Sequence, residues 1–450
     1  MMDKQHGQPG GIAADIFSLD YEGRGVARIG GKTVFVKGAL PSEKAAFRVT
    51  KSKKQFDEAE AVRILQPAGE RVTPLCRHFG RCGGCVLQHA RPEAQVAYKQ
   101  RIMEEQLARI GKVRPQQILP PIYGTPWHYR DRARLRVARG KDGRLKLGFQ
   151  AQKSHDVVDI ESCLILPRHI SAALPSLKQV LQQMADGGDW AEFVEFYRSE
   201  KLSVANLGWR KMPSENNLQR LRAWLDKDWT QGGAARQLWL QCGRDTAQAF
   251  YPEHAPDLAY ALPEFGIEMP YRPGDFTQIN AATNALMVGR ALRLLDAKPG
   301  ERVADLFCGL GNFSLPLAKS GAEVVGIEGS AALVARAKDN ARSNGCEAQT
   351  AFFAADLFDT DEAVVASWGR FDKMLLDPPR SGAYAVVQAL HEPYLPQRIV
   401  YVSCNPATFA RDAQVLVAKG YVFKAAGVMN MFAQTAHVES IGVFERKKAV

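Results

Sequence analysis

From about residue 271, the chain alternates between short apolar runs and stretches with helical periodicity. The apolar runs cover 303–307 and 323–328, end near 355 and 376, and finish with 399–402. Parallel strands need crossover connections, which are usually helices, so this alternation restricts the possible folds severely. We predict a doubly wound α/β sheet, in which ligands bind at the carboxyl ends of the strands.

A cysteine stands directly after the last of these runs. The segment 399–402 is continuously apolar, Cys404 follows it, and Asn405-Pro406 ends the strand. A lone cysteine at such a place is most often packed as a small hydrophobic residue. Its interpretation as a reactive thiol therefore depends on a cofactor site and a base in the same half of the chain.

The first strand of the series runs into a glycine-containing loop, residues 305–314, which reads Asp-Leu-Phe-Cys-Gly-Leu-Gly-Asn-Phe-Ser. Glycines let the backbone approach a ligand closely. Glu328 ends the next strand, 19 residues after Gly309, where a carboxylate can accept both hydroxyls of a ribose. A nicotinamide enzyme stays an alternative at this point, although Ser314 occupies the place of the third glycine in the dinucleotide fingerprint.

Four cysteines in the first half of the chain are candidates for a metal centre. Cys76, Cys82 and Cys85 fall within ten residues, on a glycine-rich loop, and Cys163 follows 77 residues later. The eight cysteines of this long chain do not suggest a disulfide scaffold, because no secretory signal precedes them. Four thiolates suit tetrahedral zinc or an iron–sulfur cluster equally well.

The amino-terminal region shows the pattern of a small β-barrel. Five short alternating runs lie within residues 12–66, separated by turn signals. Lys51, Lys53 and Lys54 add a basic turn. Five strands with glycine-rich turns suit an OB-like barrel, a common platform for oligonucleotides, although a plain spacer would read the same way.

Arginines alternate with other residues between positions 130 and 136, as expected for a strand with one basic face. Such a row suits contacts with phosphates, and the alternative is an ordinary solvated edge strand. The net charge of +11 also favours a polyanionic partner. We read no chemistry in residues 164–265, a second β-rich segment with helical insertions.

Length and composition predict a soluble protein of several domains. The chain has 450 residues and no apolar run near the ~20 residues that a membrane helix needs. Its polar first residues, 1–11, do not resemble a signal peptide, so we expect a cytoplasmic monomer that does not contact membranes. We place domains at 1–67, 68–270 and 271–450, and a helix at 92–110 can pack on the last of them.

Several motifs resemble known families. Residues 21–27 and 34–36 resemble the TRAM domain, an RNA-binding barrel. The glycine loop, with Asp-Pro-Pro-Arg at 377–380, resembles the class I S-adenosylmethionine-dependent methyltransferases. Nearly the whole chain is similar to the bacterial RNA uracil-5-methyltransferases, in particular the type that acts on 23S ribosomal RNA. The segments that carry this resemblance are 276–280, 305–314, 377–380, 403–406 and 437–439.

The resemblance implies roles for particular residues. Cys404 would be the nucleophile and Glu439 the general base. A [4Fe–4S] cluster would be held by the four cysteines at 76, 82, 85 and 163. S-adenosylmethionine would contact Gln278, Phe307, Asn312, Glu328, Asp356 and Asp377. Without the family, Glu439 would read as an ordinary strand acid.

The chemistry explains why a thiol and a base are needed. Uracil C5 is a poor nucleophile, and a thiolate that adds to C6 makes C5 able to attack a sulfonium methyl group. A base then removes the C5 proton. The target base must leave its stack to enter such a pocket.

Alternatives remain at this stage. The related tRNA uracil-5-methyltransferase shares the catalytic motifs but is expected to lack the cluster cysteines and the barrel. A second rRNA enzyme of the same type keeps the cluster and lacks the barrel. A non-catalytic RNA-binding protein is a further alternative, which the joint presence of Cys404 and Glu439 disfavours.

Overall fold

The computed structural model describes residues 12–230 and 232–446, and its first part is a six-stranded sheet. The strands are β1 (Ile12–Asp15), β2 (Ser18–Leu19), β3 (Gly25–Ile29), β4 (Lys32–Lys37), β5 (Lys44–Ser52) and β6 (Phe56–Gln66), in the order β1-β5-β6-β4-β3-β2. The continuous segment 12–19 pairs with β5 through its first half and with β3 through its second. It therefore joins the two edges of the sheet, as the predicted barrel requires.

A second sheet follows, with two helices packed on one of its faces. Its strands are β8 (Arg132–Arg139), β9 (Leu145–Gln150), β10 (Val157–Asp159), β11 (Ala191–Arg198), β12 (Leu202–Trp209), β13 (Ala235–Cys242) and β14 (Gln248–Tyr251). The short strand β7 (Gln117–Ile118) precedes them in the chain but is part of the third large sheet. The helices are α2 (Arg168–Asp186) and α3 (Glu215–Lys227). Leu177, Leu221 and Trp224 bury this helical layer against the sheet.

The predicted arginine strand exists as β8, but its basic face is interrupted. Ala133 and Leu135 point into the core, while Arg134 and Arg136 are exposed. Arg132 is different, because its guanidinium bonds Glu195 at 2.9 Å and the Asp275 carbonyl at 2.8 Å. The interpretation of Arg132 as a phosphate ligand is therefore not supported, since its charge is already paired.

The third large sheet has eight strands in the order β19-β18-β17-β20-β21-β23-β22-β7. Its strands after β7 are β17 (Arg302–Leu306), β18 (Glu323–Glu328), β19 (Thr350–Ala354), β20 (Lys373–Leu376), β21 (Arg398–Ser403), β22 (Tyr421–Met429) and β23 (Glu439–Arg446). A hairpin of β15 (Ala259–Leu262) and β16 (Ile267–Pro270) precedes them. The strands β17 to β21 are parallel, which matches the predicted doubly wound order.

Helices cover both faces of this sheet. They are α4 (Ala281–Leu295), α5 (Ser314–Lys319), α6 (Ala331–Ser343), α7 (Glu362–Trp368), α8 (Tyr384–Ala389) and α9 (Pro406–Ala418), with short 3₁₀ turns at Pro263–Phe265 and Glu347–Gln349. Ser330 caps α6, as its position before the helix predicts. Two buried apolar clusters, one on each face, form the core.

The sheet is not parallel throughout, which differs from the sequence-based expectation. β23 runs antiparallel to both β21 and β22. The reason is the connection between β22 and β23, a loop at 430–438 without a crossover helix. Because two parallel strands need such a crossover, β23 pairs with β22 in the antiparallel direction. This reversal brings the start of β23 to the same edge as the end of β21.

A helix from the first half of the chain also packs on this sheet. It is α1 (Pro92–Gln106), which continues as a π-helical turn at Leu107–Gly111. Val96, Met103 and Leu107 join the core beside β22, and β7 extends the sheet beyond that strand. Gly111 lies so close to α9 that an added Cβ would come within 2.4 Å of the Ala410 carbonyl oxygen.

The division of the chain at residues 67 and 270 stays a prediction. In the described parts of the chain, no helix combines the length and the apolar character that crossing a bilayer requires.

Candidate active site

Cys404 and Glu439 lie at the same end of one pair of strands. The antiparallel ladder of β21 and β23 ends with Ser403 opposite Ser440. Cys404 directly follows the last residue of β21 and Glu439 is the first residue of β23, so both lie one residue beyond that pair, and the charge of Glu439 acts on the Cys404 thiol. Glu439 also faces Met429 of β22. The reversal of β23 therefore places a thiol beside a carboxyl group, although 35 residues separate them in the sequence.

Both groups are poorly solvated. Glu439 is 2% exposed, and burial, with a smaller contribution from Asp377, raises the pKa of its carboxyl group well above the usual value. Cys404 is half-buried, and burial, with Glu439 and Asp377, raises the pKa of its thiol to about 12. The positive charge of Arg380 opposes that rise. A thiol in this state becomes a nucleophile only if a neighbouring group or the bound substrate takes its proton.

The loop that carries Arg380 is fixed to the helix after Cys404. Asn405 and Thr408 donate hydrogen bonds from their side chains to the Arg380 carbonyl oxygen, at 3.0 and 3.2 Å. The buried carboxyl group of Asp412 accepts from the Ala383 amide at 2.8 Å. These bonds hold the loop 377–383 and the thiol in one fixed arrangement.

The glycine loop has the backbone geometry expected of a ligand-binding turn. Phe307, Gly309 and Gly311 all have positive φ angles, 63°, 57° and 98°. The Glu328 carboxylate accepts a hydrogen bond from the Gly309 amide at 3.1 Å and another from the Ser330 amide at 2.9 Å. Glu328 thereby supports the loop from the neighbouring strand and retains lone pairs for a ligand hydroxyl.

The remaining residues predicted to contact the cofactor differ in availability. Asp356 is exposed just after β19, near the rings of Phe307 and Phe358, whose centroids are 5.7 Å apart. Gln278 is half-buried in the segment before α4. The Asn312 side chain, by contrast, accepts from Tyr260 at 2.9 Å and exchanges two bonds with Asn284. Any ligand contact of Asn312 would therefore compete with these bonds or use its backbone.

Two aspartates with raised pKa values lie at this edge of the sheet. Burial raises the pKa of Asp305 and that of Asp377 to about 7 each. Asp305 accepts a 2.5 Å hydrogen bond from Ser314 through one oxygen, while its other oxygen is buried without a partner. The sequence analysis did not single out Asp305, whose only signal is an acid inside an apolar strand.

A lysine that the sequence analysis did not consider also reaches this site. Lys99 lies on α1, is 1% exposed, and donates to the Asn430 side chain at 2.7 Å and to the Phe432 carbonyl oxygen at 2.9 Å. Asn430 comes directly after Met429, the residue opposite Glu439. A signal was available, since Lys99 occupies the apolar stripe that Val96 and Met103 define on the helix.

The four predicted metal ligands lie around one cavity of the structure. Cys76, Cys82, Cys85 and Cys163 line one cavity with apolar neighbours such as Phe149 and Ile165. Burial raises the pKa of Cys85 to about 12 and that of Cys163 to about 11. Among the described residues, no three cysteine, histidine or acidic side chains are arranged closely enough to hold a metal ion. A metal-binding domain is therefore not shown by this geometry alone.

The cysteine loop contacts the loop that leads to Glu439. The amides of Val86 and Leu87 donate to the Gln434 carbonyl oxygen at 2.9 and 3.0 Å. The Gln95 side chain of α1 donates to the Gln434 side chain and accepts from the Gln434 backbone amide, both at 2.9 Å. Tyr129, which packs beside Cys85 and Cys163, donates to the Ala433 carbonyl oxygen at 2.8 Å. The loop 430–438 thus connects the two candidate sites.

Comparison with protein families gives two matches. Residues 93–448 match the family described as tRNA (uracil-5-)-methyltransferase, and residues 12–62 match the TRAM domain. The second match confirms the predicted nature of the amino-terminal barrel.

Curated relatives are similar over nearly the whole chain. A protein of Neisseria lactamica named 23S rRNA (uracil(1939)-C(5))-methyltransferase RlmD is 62% identical over 96% of this chain and 95% of its own length. A protein of the same name from Thiobacillus denitrificans is 49% identical, over 96% of this chain and 99% of its own.

A solved structure shares the fold. The Pyrococcus abyssi tRNA (uracil-54, C5)-methyltransferase, solved with S-adenosyl-L-homocysteine, has a TM-score of 0.70 and 21% identity, over 96% of this chain and all of that one. This likeness confirms the Rossmann-like methyltransferase fold.

Proposed function

The chain belongs to the uracil-5-methyltransferase family, and we propose that it methylates C5 of a specific uridine in 23S ribosomal RNA. The observation that supports the chemistry is the placement of Cys404 and Glu439 at one end of the strand pair β21 and β23. The RNA class rests on relatives that carry that name at 62% and 49% identity. We propose that the protein acts as a cytoplasmic monomer.

We propose S-adenosylmethionine as the methyl donor, which presents an electrophilic methyl group on a sulfonium when bound. The residues at the carboxyl edge of the sheet fit this cofactor. The Glu328 carboxylate suits the ribose hydroxyls, and Asp356 with the half-exposed ring of Phe358 suits the adenine. Gln278, Phe307, Asn312 and Asp377 are the other proposed contacts.

The chain's own residues would act in two steps. Cys404 passes its proton to a neighbouring group or to the bound RNA, and the thiolate adds to C6 of the flipped uracil, while the electron pair of the C5–C6 double bond shifts to give an enolate at C4–O4. After the methyl group has been received at C5, the Glu439 carboxylate removes the C5 proton. The electron pair of that C–H bond re-forms the C5–C6 double bond, and the thiolate leaves C6. The fixed loop at 377–383 keeps the thiol oriented during both steps.

We propose that Cys76, Cys82, Cys85 and Cys163 hold a [4Fe–4S] cluster. The support is the cavity that all four thiols line, since four thiolates in such an apolar place would need a cationic partner. Anaerobically purified protein should be brown and contain iron and sulfide. Stoichiometric zinc without iron would reject the cluster.

We propose that RNA crosses the exposed face of the central sheet. A groove of about 750 Å³ is lined there by Arg134, Arg136 and Lys211 with the ring of Trp190, and also by Arg210, which is paired with Glu192 at 2.7 Å. Basic and aromatic side chains together suit single-stranded RNA, through phosphate contacts and base stacking. The barrel at 12–62 is the second proposed contact, as a TRAM domain.

Tritium release from 5-tritiated uracil tests the whole proposal. Removal of the C5 proton releases tritium to water, so the assay reports the reaction without labelled cofactor. We expect release from 23S rRNA transcripts in the presence of S-adenosylmethionine. Release from tRNA but not from 23S rRNA would establish the alternative substrate class, and release from neither would reject uracil C5 methylation.

A further inference from the structure

Lys99 is a buried cation beside the proposed base, and the steps above do not use it. It projects from α1 towards the end of β22 and is 1% exposed. Its ammonium group donates to the Asn430 side chain at 2.7 Å and to the Phe432 carbonyl oxygen at 2.9 Å. Both acceptors belong to the loop that leads into Glu439.

The surroundings of Lys99 do not explain a buried positive charge. An ammonium group has three donors, and the two recorded bonds go to neutral acceptors. Burying an unpaired ion costs several kcal/mol, so a charge at this place needs a counter-charge or loses its proton. Glu439 is the acidic group whose negative charge stabilises the protonated form of Lys99.

The charges around Lys99 and Glu439 determine whether Lys99 favours the ionised or the protonated form of Glu439. Burial lowers the pKa of Lys99 to about 7, and the charge of Glu439 opposes this. Burial and Asp377 raise the pKa of Glu439, and the charge of Lys99 opposes that rise. The charge of Glu439 also acts on the Cys404 thiol, as does the charge of Arg380, which is hydrogen-bonded to His437 at 3.0 Å. Lys99 is thus the cation that favours an ionised Glu439.

We propose that Lys99 is a positioning residue that keeps Glu439 in its carboxylate form, ready to accept the C5 proton. The inference rests on the proposed function. A carboxyl group that is already protonated cannot remove a proton, so without Lys99 the base becomes available only at higher pH. Methyl transfer comes before this step and does not need the base.

The test compares two neutral replacements of Lys99 with a matched control. Lys99→Gln retains a hydrogen-bond donor for the loop, and Lys99→Met retains the unbranched apolar stem. The control is Lys373→Gln, since Lys373 is 8% exposed at the opposite end of the sheet, with Glu301 at 2.8 Å. The decay of the covalent protein–RNA adduct is measured on denaturing gels between pH 6 and 9, after mixing with S-adenosylmethionine and 23S rRNA. Melting temperatures identify the variants that fold like the wild type.

In both Lys99 variants we expect the methylated adduct to accumulate at pH 7, and raising the pH to restore its decay. The apparent pKa of decay should move up by about one unit or more, as expected for loss of an opposite charge at close range. The proposal is overturned if the pH profile of adduct decay is unchanged in a Lys99 variant that folds like the wild type. A slower rate alone would not support it, because a purely structural role lowers the rate without moving the apparent pKa of decay. Failure of the proposed function is distinguishable, since the wild type itself would then form no adduct.

Discussion

Cys404 and Glu439 lie together at the open end of the ladder formed by β21 and β23, one residue beyond its last pair. Two adjacent antiparallel strands fix the distance between their side chains more firmly than loops can. A thiol that adds to C6 and a carboxyl group that takes the C5 proton must approach neighbouring atoms of one ring. The pairing of β21 with β23 brings both groups to one end of the strand pair before any substrate binds.

Replacement of the thiol should abolish turnover without affecting the cofactor. We expect Cys404→Ala to release no tritium above background, because no adduct can form at C6. Its affinity for S-adenosylmethionine, measured by calorimetry, should stay within about twofold of the wild type, since alanine removes no proposed cofactor contact. Cys242→Ala, in the central sheet, is the matched control. Turnover close to that of the control would reject covalent catalysis.

Replacement of the base should trap the reaction later. Glu439→Gln should add to the RNA and receive the methyl group, but the product should remain attached to Cys404 because the C5 proton stays in place. A protein–RNA band with labelled methyl should appear on denaturing gels. In contrast to the Lys99 variants, raising the pH should not restore release, since glutamine has no proton to lose. Methyl transfer without a trapped species would assign the base to another group.

Glu328 should contribute to cofactor affinity in two ways. Its carboxylate supports the glycine loop through Gly309 and is proposed to bind the ribose. Losing a hydrogen bond to a charged group costs about 1.5–3 kcal/mol, so Glu328→Ala should weaken S-adenosylmethionine binding about tenfold or more. Calorimetry measures this, with Glu323→Ala, exposed at the other end of β18, as the control. Equal affinities of the two variants for S-adenosylmethionine would show that Glu328 does not contribute to cofactor binding.

The exposed arginines of β8 should govern the salt dependence of RNA binding. Each lost phosphate contact lowers the slope of log affinity against log salt by about one. Arg134→Ala with Arg136→Ala should therefore reduce the slope by up to about two, and deletion of residues 1–66 should reduce it as well. Arg220→Ala with Arg222→Ala, on α3 across the sheet, is a control of equal charge. An unchanged slope in the first double variant would exclude the groove, and an unchanged slope in the deletion would make the barrel a spacer.

Asp305 should make stability fall as pH rises. Its folded pKa of about 7 is above its usual value of 3.8, so the folded state binds more protons than the unfolded state between these values. The stability that this group contributes is complete below about pH 4 and is lost as pH rises through 7. We expect the decrease in melting temperature between pH 5 and 7.5 to be smaller in Asp305→Asn. Ser320→Ala, at the carboxyl end of α5, removes no ionisable group and is the control, and equal decreases in all three proteins would contradict the assignment.

The sequence alone determined the local features of this protein. The apolar runs located the parallel strands at 303–307 and 323–328 to within a residue, because a continuous apolar run is a property of each segment by itself. The cysteines, the glycine loop and the strand before Cys404 were likewise visible as short motifs. The family could therefore be recognised from residues that are near neighbours in the chain.

Only the tertiary structure decided which distant residues act together. The reversal of β23, which depends on strand pairing, brought Glu439 to the end of the strand pair where Cys404 lies. The packing of α1 on β22 brought Lys99 to the same place from more than 300 residues away. Glu195, on a neighbouring strand, neutralised Arg132, which the arginine pattern had presented as free. Electrostatic coupling depends on distance and burial rather than on order along the chain, so charge pairing and pKa values follow from the fold and not from the motifs.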